Sequence, residues 1–393
     1  MIKNYSKIIL ALALFTPLLY AETPKTSKPI FETVWQRTYG GEKSDIARGV
    51  VMLEGGDIAI VGECKSYGAK RNDICVTRVN SKGQTRWRKL IKEDRQDRGM
   101  AISRAKDGNL LILGSGKSFN DNYDRDLFVA KLSLDGKIIW QKTFGGARDE
   151  FAGGIAGTDD GGVLIVGDSE SFSKRGYKDI YIIRLDSQGK TISEKHIGGK
   201  KGEEAKALTR TADGNFMMVG SREVSRAGDA DFFLMKLDQK GNKIWARTFG
   251  EEEHDVLNAV APTPDGGVVA TGATRSFGSE QTDMSVMYFN KNGKLIWHKI
   301  YGFKYYDEGN AITMTKNGGF IIAGVTNSMG KGDYDNYIVA LNNKGSLIWS
   351  KLYGDKKRDI PHGITRTTDG AIVIVGETNS YKRRSDFYML KLK

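Results

Sequence analysis

Residues able to do chemistry are sparse in this 393-residue chain, and they are not grouped. The four histidines, His196, His254, His298 and His362, are the side chains that would move a proton near neutral pH or bind a transition metal. They lie far apart, with no His-x-x-x-His spacing to set two of them on one ion. His362, three residues after Asp359, is the one placed to act as an acid–base group. The stretch Asn120-Asp-Asn-Tyr-Asp124-Arg-Asp126 alternates oxygen-bearing side chains as a calcium loop does, but lacks the glycine and bidentate glutamate of an EF-hand. No nucleophile elbow, phosphate loop or dinucleotide fingerprint occurs. The expectation is a non-enzymatic protein with no cofactor and no metal. An enzyme with a channel-mouth site, such as a lyase acting on an acidic polysaccharide, is the alternative.

Carboxylates recur in register. One set is Asp45, Asp97, Glu150, Glu203, Asp255, Asp307 and Asp359; the other is Asp73, Asp126, Asp179, Asp231, Asp283, Asp335 and Asp386. A ring of acids around a channel would suit a cation or a cationic peptide. Equally, an Asp that opens a strand accepts backbone N–H groups from its own loop, and recurrence in every repeat favours that structural role.

Residues that break the repeat carry more functional weight. An aromatic follows Ser in several loops, at Tyr67, Phe119, Phe172, Phe277 and Tyr381. Bases surround them: Lys70, Arg71, Lys174, Arg175, Arg275, Arg383 and Arg384. Aromatic faces beside Arg and Lys suit sugars, anionic lipids or single-stranded nucleic acid; alternatively each ring plugs a neighbouring loop and each base is a solvated charge. Phe303, Tyr305 and Tyr306 add an aromatic patch of the kind a protein partner uses.

The elements that position these residues follow from a period. All six tryptophans, Trp35, Trp87, Trp140, Trp245, Trp297 and Trp349, fall on one grid of 52 or 53 residues, with a missing beat at Ser193. Such a period marks an array of one supersecondary unit. Each unit holds four runs rich in Ile, Val and aromatics, broken by Gly-containing turns, which spells a four-stranded antiparallel meander. Seven such units predict an all-β, seven-bladed β-propeller of four-stranded blades over residues 33–393. The phase predicts its closure. Val34–Gly40 is an orphan fourth strand and Phe387–Lys393 a third strand with no fourth, so the N-terminal strand should complete the last blade and remove two exposed edges. Tight turns join strands one to two and three to four, while longer loops gather on the opposite rim, where propellers usually bind.

Residues 1–21 read as a cleaved secretory signal, with Lys3 and Lys7 ahead of the apolar run Ile8–Leu19; residues 22–32 read as a linker. That run is too short to span a bilayer, and no cysteine sits at the cleavage point, so a soluble periplasmic or released protein is expected. The formal charge is +12 for the whole sequence and +10 without Lys3 and Lys7. It favours solubility, and attraction to an envelope polyanion such as a glycan or lipopolysaccharide more than to nucleic acid. The two cysteines, Cys64 and Cys75, flank one loop and would either pair, as an exported protein permits, or remain free and buried.

Thr367-Thr-Asp-Gly370, Gly324-Val-Thr-Asn-Ser328 and Gly345-Ser-Leu-Ile-Trp349 resemble the repeats of secreted bacterial β-propeller proteins, a likeness that covers residues 33–393. The Gly-x-x-x-Trp strand is also similar to quinoprotein dehydrogenases and to periplasmic propeller scaffolds of outer-membrane assembly, which usually have eight blades. The resemblance implies a propeller and says little of its task.

Overall fold

A computed structural model describes residues 31–393, apart from 92–94, 119–122, 174–176, 225–228, 280, 331–332 and 381–383. Seven sheets of four antiparallel strands form a ring. The innermost strands are Asp45–Met52, Asp97–Arg104, Glu150–Gly157, Glu203–Arg210, Asp255–Pro262, Asp307–Met314 and Asp359–Arg366, in blades one to seven. The second strands, such as Ile58–Cys64 and Phe320–Thr326, are buried at every residue except the last two of Phe216–Glu223, because neighbouring blades cover both faces. Each core is therefore shared. Leu111, Leu113 and Val129 of blade two pack with Ile165, Tyr181 and Ile183 of blade three in one cluster.

Closure is as the phase requires. Thr33–Thr38 pairs antiparallel with Asp386–Leu392 as the outer strand of blade seven. Two residues ahead of that strand also join the ring: the Glu32 N–H donates to Lys393 O at 2.7 Å, and the Phe31 ring lies 6.1 Å from Trp349.

The tryptophans join consecutive blades. The Trp87 Nε1–H donates to Leu134 O at 2.9 Å, and the Trp140 Nε1–H to Ser187 O at 3.2 Å, each in the three-to-four turn of the next blade. At the missing beat, Lys195 ties to the same turn of the next blade, donating to Lys240 O at 3.0 Å and to Asn242 Oδ1 at 2.6 Å, while Arg184 donates to Gln239 O, the counterpart of Leu134 O and Ser187 O, at 3.0 Å. On the tight-turn rim, buried cations of the third strands hold the turn aspartates: Lys131 meets Asp107 at 2.7 Å and Lys236 meets Asp213 at 2.6 Å. Cys64 and Cys75 form a disulfide across their loop, with Cα atoms 5.6 Å apart. No helix among the described residues is long and apolar enough to cross a membrane.

Candidate functional site at the channel mouth

The opening acids are anchors of the loop-rich rim. Asp45 accepts the Gly41 N–H at 2.8 Å and the Lys65 N–H at 3.0 Å. Asp307 accepts the Phe303 N–H at 2.8 Å and the Ser328 hydroxyl at 2.8 Å. Asp359 is held in the same way by Asp355 and Ser380, so it is not the partner of His362. Each of these acids pins its blade's longer loops, the local structural role that recurrence favours.

Three residues beyond each of these acids, every innermost strand carries a β-bulge. The extra residue has no partner in the ladder, so a bulge re-aims its side chain. Around the ring the bulged residues are Arg48, Met100, Gly153, Lys206, Asn258, Asn310 and His362. All seven line one cavity of about 590 Å³ at the channel. The scaffold repeats around this ring, but its occupants vary.

Gly153 is required where it stands. A Cβ there would fall on Ala205 O, and one on Gly154 would fall on the Leu208 N–H group, so the glycines let the inner strands of blades three and four approach closely.

Carboxylates rise from the wall beside the ring, and each is already engaged. Glu63 takes Arg48 at 2.5 Å, Asn72 at 2.5 Å and Arg98 at 3.3 Å. Glu204 bridges Lys178 at 2.6 Å and Lys206 at 2.5 Å. Against the penalty of its own burial, those two ammonium groups hold its carboxyl at about 2. Glu308 accepts from Asn258 at 2.6 Å and from the Tyr306 hydroxyl. Glu377 lies 3.9 Å from Arg358 and 3.8 Å from His362. Burial pushes His362 below the ordinary histidine range, so at neutral pH it faces Glu377 uncharged. Its Nε2 is buried without a hydrogen-bond partner.

Asp168 differs from these. It is 2% exposed and accepts the Ala205 N–H, and burial raises its carboxyl to about 7 against that hydrogen bond. Phe151, Tyr306 and Tyr334 supply apolar surface to the same cavity. The Lys178 ammonium stands 4.3 Å from the Phe151 ring centre, and the Arg358 guanidinium 5.7 Å from that of Tyr334.

Of the residues singled out from sequence, Tyr306 lines this cavity and so does His362. The other described aromatics are mostly plugs against neighbouring elements. Tyr67 donates its hydroxyl to Tyr39 O, with the Arg88 guanidinium 3.9 Å above its ring. Phe172 packs tilted on His196 with ring centres 3.9 Å apart, Phe277 meets His298 edge-on at 5.1 Å, and Phe303 packs on Tyr337 at 6.0 Å. Tyr305 is exposed beside Lys304. Lys70, Arg71, Arg275 and Arg384 are exposed, Arg275 standing 3.5 Å from Glu253. Phe119, Lys174, Arg175, Tyr381 and Arg383 lie outside the described residues, as does the start of the Asn120–Asp126 stretch. Sequence reading missed Arg48, Asp168, Lys178, Lys206 and Arg358. The third position after each opening acid, where residue type changes from blade to blade, would have found two of them.

Comparisons with known proteins bear on the fold alone. No protein-family model matches the chain, and no curated protein matches it. Among solved structures, a protein of unknown function from Dyadobacter fermentans is similar at 13% identity and a TM-score of 0.56, covering 93% of this chain and 99% of that one. The β-propeller domain of the Trilobed protease from Pyrococcus furiosus is similar at 14% identity and a TM-score of 0.51, covering 91% and 96%. That domain is described as having an open velcro topology, whereas here the N-terminal strand closes the last blade.

Proposed function

We propose that this chain is an exported cell-envelope protein, periplasmic or released, that binds a protein or polyanionic partner on its loop-rich rim without turning it over. One observation carries the reading. Seven equivalent bulge positions converge on a single cavity and hold six residue types, with Asn at two of them, while the anchors around them repeat. A position under packing constraint alone would repeat as its neighbours do. The N-terminal Lys-then-apolar segment supports export, and the positive charge supports an anionic partner. The resemblance to secreted bacterial propeller repeats agrees with both.

A lyase acting on an acidic polysaccharide is the second reading. Asp168 favours it, since a buried carboxyl that titrates near 7 is matched to proton abstraction at neutral pH.

Retention of the full chain on a heparin-like matrix tests the first reading. Binding should weaken steeply as salt rises, and further in a Lys70→Glu, Arg71→Glu, Arg384→Glu variant. Unchanged retention of that variant, or turnover across a panel of acidic glycans, would overturn it.

A further inference from the structure

We infer that the channel-mouth cavity is a subsite for an acidic sugar, one or two uronic acid units at the end of a glycan. The inference rests on the reading that this rim binds an anionic partner, and it names the chemistry of the central pocket.

The bulge ring contains no carboxylate, and its polar members Arg48, Lys206, Asn258, Asn310 and His362 carry N–H groups. The wall carboxylates are already taken by these and adjacent donors, so their acceptor capacity orients the ring and leaves little for a ligand. Donors remain in excess. Arg48 spends Nε and Nη2 on Glu63, while Lys178 and Lys206 each direct one contact to Glu204 and keep further N–H groups. His362 Nε2, buried without a hydrogen bond and 3.8 Å from Glu377, adds a polar atom that a ligand can meet. Such a site favours a ligand that brings acceptors and negative charge, because charge-assisted hydrogen bonds to pre-oriented donors are the strong ones.

Shape separates a sugar from a simple anion. At about 590 Å³ the cavity is far larger than phosphate or sulfate needs, and Phe151, Tyr306 and Tyr334 line it. A pyranose offers C–H faces to such rings and hydroxyl donors to the Oδ1 atoms of Asn258 and Asn310, whose Nδ2 groups are held by Glu308, Gly309 O and Pro361 O, while its carboxylate meets the cations. Gly153 leaves a notch in the ring between blades three and four, where any larger residue would collide with Ala205 O.

Titration calorimetry on the full chain tests the assignment with three probes: digalacturonate, lactose and inorganic phosphate. Digalacturonate should bind one to one, with lactose and phosphate weaker by roughly tenfold or more. Lys206→Met should weaken digalacturonate by roughly tenfold, and Arg358→Gln is the second variant should the first fail to fold. Lys137→Glu, exposed in a three-to-four turn on the opposite, tight-turn rim, should leave that binding unchanged. Equal affinity for lactose or for phosphate would overturn the inference, as would indifference to both cavity substitutions. If digalacturonate fails to bind while the chain is still retained on the heparin-like matrix, the inference falls and the rim reading stands. If both fail, both fall.

Discussion

Asp168→Asn should make the protein's stability less dependent on pH, and the size of the effect follows from the site. In the fold, burial raises the Asp168 carboxyl from 3.8 to about 7, against the Ala205 N–H that favours its ionised form. A group whose folded pKa is raised contributes stability fully present below its unfolded pKa and lost as pH rises through the folded one. Asp168 is 2% exposed, so solvent screening does not discount the effect. With these two values, wild type should lose roughly 2–3 kcal/mol between pH 5 and pH 8 through this group alone. Asparagine keeps an oxygen for the Ala205 N–H and cannot ionise. Urea unfolding of both proteins at pH 5 and pH 8 isolates the effect as a difference of differences. Glu203, also raised to about 7 by burial, is common to both proteins and cancels. The variant should gain on wild type by that amount at the higher pH. If the two stabilities shift in parallel, Asp168 is not the buried titrating group described.

Three further outcomes test the scaffold. Removing residues 31–40 exposes the Asp386–Leu392 edge and should abolish cooperative melting by circular dichroism; a truncated chain that melts sharply near the parent temperature contradicts the clasp. Replacing Cys64 and Cys75 by serine should cost up to about 3 kcal/mol under oxidising conditions, read from the denaturation midpoint, and no change would show that the disulfide constrains little. Lys195→Ala should cost about 1 kcal/mol by removing the tie to Lys240 O and Asn242, whereas an unaltered midpoint would mean that the missing tryptophan is not replaced there.

Scaffold and site differed in how far the sequence disclosed them. Trp35 and the truncated final unit disclosed the clasp, because strand order follows directly from the phase of a repeat. Ser193 could be read as a tolerated gap, but Lys195 could not be read as its replacement, since that contact crosses to the next blade. The aromatics after Ser looked like ligands because a loop sequence does not say which way a ring turns. In the fold, Tyr67, Phe172 and Phe277 pack on neighbouring side chains and backbone. The bulges were hidden for a different reason: one extra residue in a strand leaves the apolar pattern nearly intact, so nothing in the sequence sets Arg48 and Lys206 apart from solvent-facing charges. Asp168, on the second strand of blade three, and Lys178, in the loop just ahead of its third strand, meet the ring through tertiary packing alone.

The central claim is that function sits in the positions that break the repeat, at the channel mouth of the loop-rich rim. Amide hydrogen exchange of the full chain, with and without a heparin-like polyanion, tests it most directly. Protection should appear at the start of the innermost strands, across Asp45–Gly49, Glu203–Ala207 and Asp359–Gly363, and in the long loops beside them. Protection confined to the tight-turn rim or to the outer strands would contradict the account.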